Sequence, residues 1–109
     1  MNNVGTIIYE KNFETGQINA VWSYFIDGKV TSGTGIANGG QGDQYIGNYI
    51  ITYSTNGMPE TSIFKMVIIE KEDQIVLEWY DEEVLSYFGI GIIKDNILTG
   101  GWSKYTDEN

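Results

Sequence analysis

Short turn signals recur at nearly even spacing along this chain of 109 residues, and they limit its fold more than any other feature. Asp-Gly and Asn-Gly pairs are typical of tight β-hairpins, because Gly and Asn tolerate a positive φ angle. Seven signals separate eight runs of residues, which predicts a sandwich or barrel of short strands. The signals are Glu14-Thr15-Gly16, Asp27-Gly28, Asn38-Gly39-Gly40, Asn56-Gly57, Lys71-Glu72-Asp73, Asp81-Glu82-Glu83 and Asp95-Asn96.

The runs between these turns have the pattern of β-strands. Alternation with a period of two residues puts Trp22 and Tyr24 on one face of the second strand, and Tyr49 and Tyr53 on one face of the fourth. No run has a convincing helical period. We therefore predict a single all-β domain over residues 1–109, an eight-stranded antiparallel up-and-down barrel. The expected strands open near residue 6 and then span 18–24, 30–37, 45–53, 63–69, 75–80, 84–93 and 97–104.

The two halves of the chain resemble each other, which predicts a barrel made of two similar four-strand halves at about residues 4–55 and 61–105. Residues 18–22 (INAVW) match 75–79 (IVLEW), and Gly33-Thr34-Gly35-Ile36 matches Gly89-Ile90-Gly91-Ile92. Chance similarity between strands is the alternative explanation. The Gly-x-Gly pairs fit a barrel, because a strand that bends sharply, or that a bulky Trp approaches closely, needs residues without a Cβ atom.

In strand number and meander order, nearly the whole chain resembles the calycin-like barrels, which include lipocalins, fatty-acid-binding proteins and avidins. The Gly-x-Trp signature of lipocalins belongs near the first strand, whereas Gly100-Gly101-Trp102 lies in the last strand of this chain. The resemblance implies a barrel that binds a small apolar ligand at its mouth.

The composition argues against several classes of function. The chain has no Cys, no His and no Arg, so it lacks disulfides, thiol nucleophiles and the commonest ligands of transition metals. Its formal net charge of −9 disfavours binding to nucleic acid and to anionic membranes. We expect no cofactor and no metal ion. The polar N-terminal residues lack the features of a signal peptide, which predicts a cytoplasmic protein.

A set of aromatic residues is the strongest candidate for a binding site. If these rings face inward, they form a pocket for a small apolar ligand, with hydroxyl groups to fix its orientation. The alternative is that they fill the barrel, whose interior admits little more than its own side chains or one small ligand. The candidate ligand-binding residues are Trp22, Tyr24, Tyr49, Tyr53, Trp79 and Trp102.

An acidic cluster suggests a second kind of site. Glu78, Asp81, Glu82 and Glu83 could bind a basic protein partner, either as an interaction module or as a mimic of nucleic acid. The alternative is a solvated turn. Glu78, between Leu77 and Trp79, is also the best candidate for carboxylate acid/base catalysis, although alternation directs its side chain to solvent.

Outward-facing apolar residues add a prediction about subunits. They suggest a sheet face covered by a second copy of the chain, and hence a homodimer. These residues are Val21, Phe25, Ile50, Val67, Val76 and Tyr80. We expect a non-enzymatic binding or regulatory barrel that acts through a small apolar pocket or through its outer surface. The alternatives are the acidic interaction module and a small barrel enzyme.

Overall fold

The computed structural model describes residues 3–40 and 44–105, which form eight antiparallel strands. Each strand pairs with the next along the chain, and the last pairs with the first, so the sheet is a closed up-and-down barrel. This confirms the predicted fold class. No helix in the described ranges is long and apolar enough to cross a membrane. The strands are β1 (Asn3–Lys11), β2 (Ile18–Ile26), β3 (Lys29–Asn38), β4 (Gly47–Thr55), β5 (Thr61–Lys71), β6 (Gln74–Asp81), β7 (Val84–Lys94) and β8 (Ile97–Lys104).

Four of the connections between strands are two-residue turns in which both residues have a positive φ. Asp27 and Gly28 join β2 to β3 with φ of 53° and 78°, and Asp95 and Asn96 join β7 to β8 with φ of 55° and 67°. This is the pattern of a type I′ turn, whose twist matches that of the flanking strands. The other two, at residues 72–73 and 82–83, adopt the same backbone with acidic residues alone.

The end of the barrel that carries the β1–β2 and β3–β4 loops is closed by Tyr45, and we call it the closed end. Tyr45 precedes β4 and is buried. Its hydroxyl oxygen accepts a hydrogen bond from the backbone N–H of Lys11 at 3.0 Å. The same oxygen lies 3.0 Å from the carbonyl oxygen of Tyr9 and 2.8 Å from that of Asn96. One side chain therefore fastens the β3–β4 loop to β1 and to the β7–β8 turn.

A buried lysine completes the closed end. The Lys11 side chain is 5% exposed, and its Nζ donates to the carbonyl oxygen of Gln44 at 2.5 Å and to the Tyr49 hydroxyl at 3.2 Å. The Tyr49 hydroxyl in turn donates to the carbonyl oxygen of Tyr45 at 2.8 Å. These bonds offset the cost of burying an ammonium group. Apolar side chains fill the surrounding space, namely Ile18, Ala37, Ile51, Ile68, Leu77 and Leu98.

A chain of hydrogen bonds crosses the middle of the barrel. The indole N–H of Trp79 donates to the Tyr53 hydroxyl at 2.8 Å, and the hydroxyls of Tyr53 and Tyr9 lie 2.5 Å apart. The Tyr9 hydroxyl also lies 3.3 Å from the sulfur of Met66, to which it can donate. The chain links β6, β4, β1 and β5, and each bond in such a chain polarises the next.

The apolar residues expected on the outside of the barrel do lie there. Val21, Phe25 and Ile50 are exposed, whereas Val67, Val76 and Tyr80 are half-buried. They belong to β2, β4, β5 and β6 and so lie on both sides of β3. The homodimer stays a prediction.

The buried tyrosines make the stability of the barrel sensitive to alkaline pH. Burial is the main factor that raises the pKa of Tyr9 and of Tyr53 above the ordinary value of 10.0, and it raises the pKa of Tyr49 to about 12. In the unfolded chain these phenols lose their protons near pH 10, whereas in the barrel they keep them. The free energy of unfolding is therefore at its full value below pH 10. It should fall as the pH rises from 10 to about 12, by at most about 1.4 kcal/mol per pH unit for each tyrosine.

Chemical denaturation at a series of pH values from neutral to strongly alkaline measures this fall. Replacing Tyr9 with Phe removes one of the buried phenols and should make the fall shallower. Tyr105→Phe, at an exposed position beyond β8, is the matched control and should leave the slope unchanged. A free energy of unfolding that stays constant above pH 10 would contradict the prediction.

Candidate functional site

The barrel contains a cavity of about 150 Å³ at the end opposite Tyr45, and we call it the aromatic cavity. Successive turns of a meander alternate between the two ends of a barrel. The end with the cavity therefore carries the β2–β3, β4–β5 and β6–β7 turns, and we call it the open end. The barrel is therefore filled at one end and hollow at the other. The residues that line the cavity are Ile7, Trp22, Tyr24, Thr31, Tyr53, Thr55, Ser62, Phe64, Trp79, Tyr87 and Trp102.

Five of the six residues predicted to bind a ligand line the aromatic cavity, and Tyr49 does not. The structure brings together Trp22, Tyr24, Tyr53, Trp79 and Trp102. Tyr49 shares the inward face of β4 with Tyr53, but it lies four residues closer to the closed end, roughly 13 Å along the strand. There its hydroxyl belongs to the network around Lys11. Alternation along a strand therefore identified the inward face but not the depth of each residue.

Sequence reasoning missed six lining residues, among them Phe64 and Tyr87. The run at residues 63–69 is apolar almost throughout, so alternation gave no face for Phe64. Tyr87 could have been found, because it shares an inward face with Gly89 and Gly91 on β7. The remaining four are Ile7, Thr31, Thr55 and Ser62.

Two of the tryptophans are held in the same way against a glycine on the neighbouring strand. Trp22 of β2 pairs with Gly33 of β3, and its indole N–H donates to the carbonyl oxygen of Thr34 at 3.2 Å. Trp102 of β8 pairs with Gly5 of β1, and its indole N–H donates to the carbonyl oxygen of Thr6 at 3.3 Å.

The Trp102 ring occupies the space where a Cβ atom on Gly5 would lie, whereas at Gly33 that space is taken by the Ser54 carbonyl oxygen, with the Trp22 ring close beside it. A Cβ atom on Gly33 would come within 2.8 Å of Cζ2 of Trp22, and one on Gly5 within 2.5 Å of Nε1 of Trp102. Each ring is therefore fixed both by contact and by a hydrogen bond, and it cannot swing across the cavity without losing both.

The other rings around the cavity pack at steep angles to one another. Phe64 meets Tyr87 at 89° with 5.7 Å between ring centroids, and Tyr87 meets Trp102 at 84° and 5.4 Å. Tyr24 instead stacks on Trp102 at 4.4 Å and 22°. Edge-to-face and offset stacked pairs are the favourable geometries for aromatic rings, so the walls of the cavity support each other.

The hydroxyl of Tyr24 is the chemically unsatisfied group of the cavity. Among the described residues, it is the buried side-chain oxygen or nitrogen atom that has no hydrogen-bond partner. Burial raises the pKa of Tyr24, with smaller contributions from Tyr87 and Asp27. A buried hydroxyl without a partner costs about 1–3 kcal/mol, and a polar atom of a ligand or a water molecule would remove that cost.

The acidic residues of the β6–β7 hairpin lie at the rim of the cavity. Asp81 ends β6, and Glu82 and Glu83 form the exposed turn that follows it. The charge on Asp81 adds to the effect of burial in raising the pKa of Tyr87, so the field of the rim reaches the cavity wall. Glu78 lies elsewhere: it is half-buried on the outer face of β6, where the Tyr80 hydroxyl donates to its Oε1 at 3.0 Å.

No group of three acidic residues in the described ranges converges closely enough to hold a metal ion. The described Asp and Glu side chains are exposed, apart from the half-buried Glu78. The polar groups that the cavity offers a ligand are therefore neutral hydroxyls, those of Tyr24, Thr31, Thr55, Ser62 and Tyr87.

The contact between Gly5 and Trp102 leads to a test of how the cavity is built. In Gly5→Ala the new methyl group would collide with the indole ring of Trp102, and overpacking of this kind costs about 1–3 kcal/mol. We expect a lower melting temperature and a shift in tryptophan fluorescence, because Trp102 must move. Gly101→Ala on the outer face is the matched control, since its nearest neighbour is the Gly5 carbonyl oxygen at an ordinary 3.7 Å. Equal effects from both variants would show that the ring does not depend on the glycine.

Comparison with the models of known protein families finds no match, and neither do comparisons with curated proteins and with solved structures.

Proposed function

We propose that this chain is a non-enzymatic binding protein that takes one small molecule into the aromatic cavity. The observation that carries the proposal is a hollow of about 150 Å³ in the open half of a barrel whose other half is filled. A hollow of this size accepts a molecule with the bulk of about one benzene ring. Pockets for drug-sized ligands are commonly about 300–1,000 Å³, so a fatty acid or a retinoid would not be enclosed.

The unpartnered hydroxyl of Tyr24 gives a ligand in the cavity a polar group to bind. The cavity combines apolar walls with a few hydroxyl groups, which is the composition typical of small-molecule sites. A ligand with one polar atom could accept from or donate to Tyr24, while its apolar part packs on the rings of Trp79 and Trp102. The calycin-like resemblance agrees with binding at the mouth of a barrel, but here with a ligand of smaller size.

The fixed tryptophans also support the proposal, because they reduce the entropy lost when a ligand binds. Ordering a side chain on binding costs about 0.5–1.5 kcal/mol for each flexible residue. The indoles of Trp22, Trp79 and Trp102 all donate hydrogen bonds within the protein and are already in place. A ligand would therefore meet a largely preformed site.

The three tryptophans also provide the experiment, because the chain has only three and all of them line the cavity. Phenol and 3,3-dimethylbutan-1-ol are two neutral molecules of suitable size that each carry one hydroxyl. We expect them to shift the indole N–H resonances in ¹H–¹⁵N spectra, with saturation that gives a dissociation constant of about 1 mM or tighter. Native mass spectrometry of freshly purified protein would show a ligand already bound.

A cavity-filling variant provides the matched comparison. Thr55→Phe places a ring inside the cavity from the inward face of β4 and should weaken binding more than about tenfold. Ser54→Phe puts the same ring on the exposed outer face of the same strand and should leave binding unchanged. The proposal fails if no small molecule, neutral or charged, gives a saturable shift, or if Thr55→Phe binds as well as the parent chain.

A further inference from the structure

The wall of the aromatic cavity is built mainly of ring systems that enclose the hollow from several directions. Trp22 stands at 82° to Tyr53, and Phe64 stands at 89° to Tyr87. The face of an aromatic ring carries partial negative charge and attracts a cation within about 6 Å of it. We call the rings around the hollow the aromatic box. No charged side chain is among the residues that line this box.

Two carboxylates at the open end act on hydroxyls of the aromatic box. Burial is the main cause of the raised pKa of Tyr24 and of Tyr87; Asp27 contributes to that of Tyr24 after Tyr87, and Asp81 contributes to that of Tyr87. The direction of these effects means that both hydroxyls experience a negative potential from the open end. Among the described residues, the turns and strand ends there carry five acids against two lysines, namely Asp27, Glu60, Asp81, Glu82 and Glu83 against Lys29 and Lys104.

These two observations restrict the charge of a ligand. An anion would meet a negative potential and find no cationic side chain in the lining. A small inorganic cation would have to give up water for neutral hydroxyls and ring faces, since no carboxylate lines the cavity. A cation whose charge is spread over methyl groups satisfies both conditions, because it packs against rings and loses little hydration.

We infer that the aromatic cavity binds a small N-methylated ammonium ion, with the methyl groups against the rings and a polar substituent at the Tyr24 hydroxyl. The inference rests on the proposed function of the cavity and names the class of its ligand. The carboxylates at the open end act over a distance: they attract the cation to that end and stabilise its charge once it is bound.

Choline and 3,3-dimethylbutan-1-ol provide the first test, because the two molecules have the same shape and the same hydroxyl and differ in the charged nitrogen. We expect choline to bind about tenfold more tightly, measured by the indole N–H shifts at low ionic strength. Benzoate, an anion of similar bulk, should cause no saturable shift. If the neutral alcohol binds as tightly as choline, the inference fails and the proposed function stands. If neither molecule binds, the inference fails, and the proposed function fails with it only if phenol also gives no saturable shift.

A pair of double variants tests the role of the rim. Asp27→Asn with Asp81→Asn removes two charges at the open end, and we expect it to weaken choline binding about threefold or more without affecting the alcohol. Asp73→Asn with Asp95→Asn removes the same number of charges at the closed end. It should change choline binding less than about twofold.

The control is closely matched, because Asp27 and Asp95 each occupy the first position of a two-residue turn, with φ of 53° and 55°. Asn tolerates this backbone at least as well as Asp, so both double variants should fold. Equal weakening by the two double variants would mean that only the net charge of the chain matters. It would overturn the role given to the carboxylates at the open end. Choline binding that stays unchanged in high salt would overturn it as well.

Discussion

The interior of an eight-stranded barrel is only wide enough for its own inward side chains or for one small ligand. The structure of this barrel depends on where along its axis the large inward side chains lie. In the closed half, Tyr45 and Tyr49 reach the barrel axis with Lys11, and aliphatic side chains fill the gaps. In the open half, the rings stand against the wall. Gly5, Gly33 and Gly35 permit this, because they leave room beside the backbone for the rings of Trp102, Trp22 and Tyr53.

The aromatic residues would collapse into the cavity if contact alone held them, because closing a void gains dispersion energy. Hydrogen bonds oppose that collapse. The indoles of Trp22 and Trp102 are tied to carbonyl oxygens of neighbouring strands, and that of Trp79 is tied to Tyr53 in the central chain. Moving a ring inward would leave a donor and an acceptor unpaired at a cost of about 1–3 kcal/mol. The hollow is thus a consequence of satisfied polar groups around it.

The strands and turns could be predicted because they depend on local chemistry. The period of two and the turn residues act over a few positions, and all seven signals lie at junctions between strands. The site could be predicted only in part, because depth along the barrel depends on the register of whole strands. Tyr49 and Tyr53 look equivalent in the sequence, yet one belongs to the closed end and the other lines the cavity.

The two halves of the chain also differ in strand register at the cavity. The matched segments suggest that Trp22 and Trp79 are equivalent, but Trp22 pairs with Gly33 and Trp79 pairs with Tyr87. Near Trp79 the pairing of β6 with β7 also shifts register, between Trp79 and Tyr80. Whether the halves arose by duplication stays a prediction, but they contribute differently to the cavity.

This difference gives the cavity two unlike sides. One side carries the small hydroxyl-bearing residues Thr31, Thr55 and Ser62 on the adjacent strands β3, β4 and β5, beside the rings of Tyr53 and Phe64. The other consists of the rings of Trp79, Tyr87 and Trp102 on β6, β7 and β8. The indole donors of Trp79 and Trp102 already have partners, so this second side offers mainly apolar and π surface. A ligand whose polar atom bonds to the Tyr24 hydroxyl on β2 can therefore also turn polar atoms toward β3–β5, with its apolar or methylated part toward β6–β8.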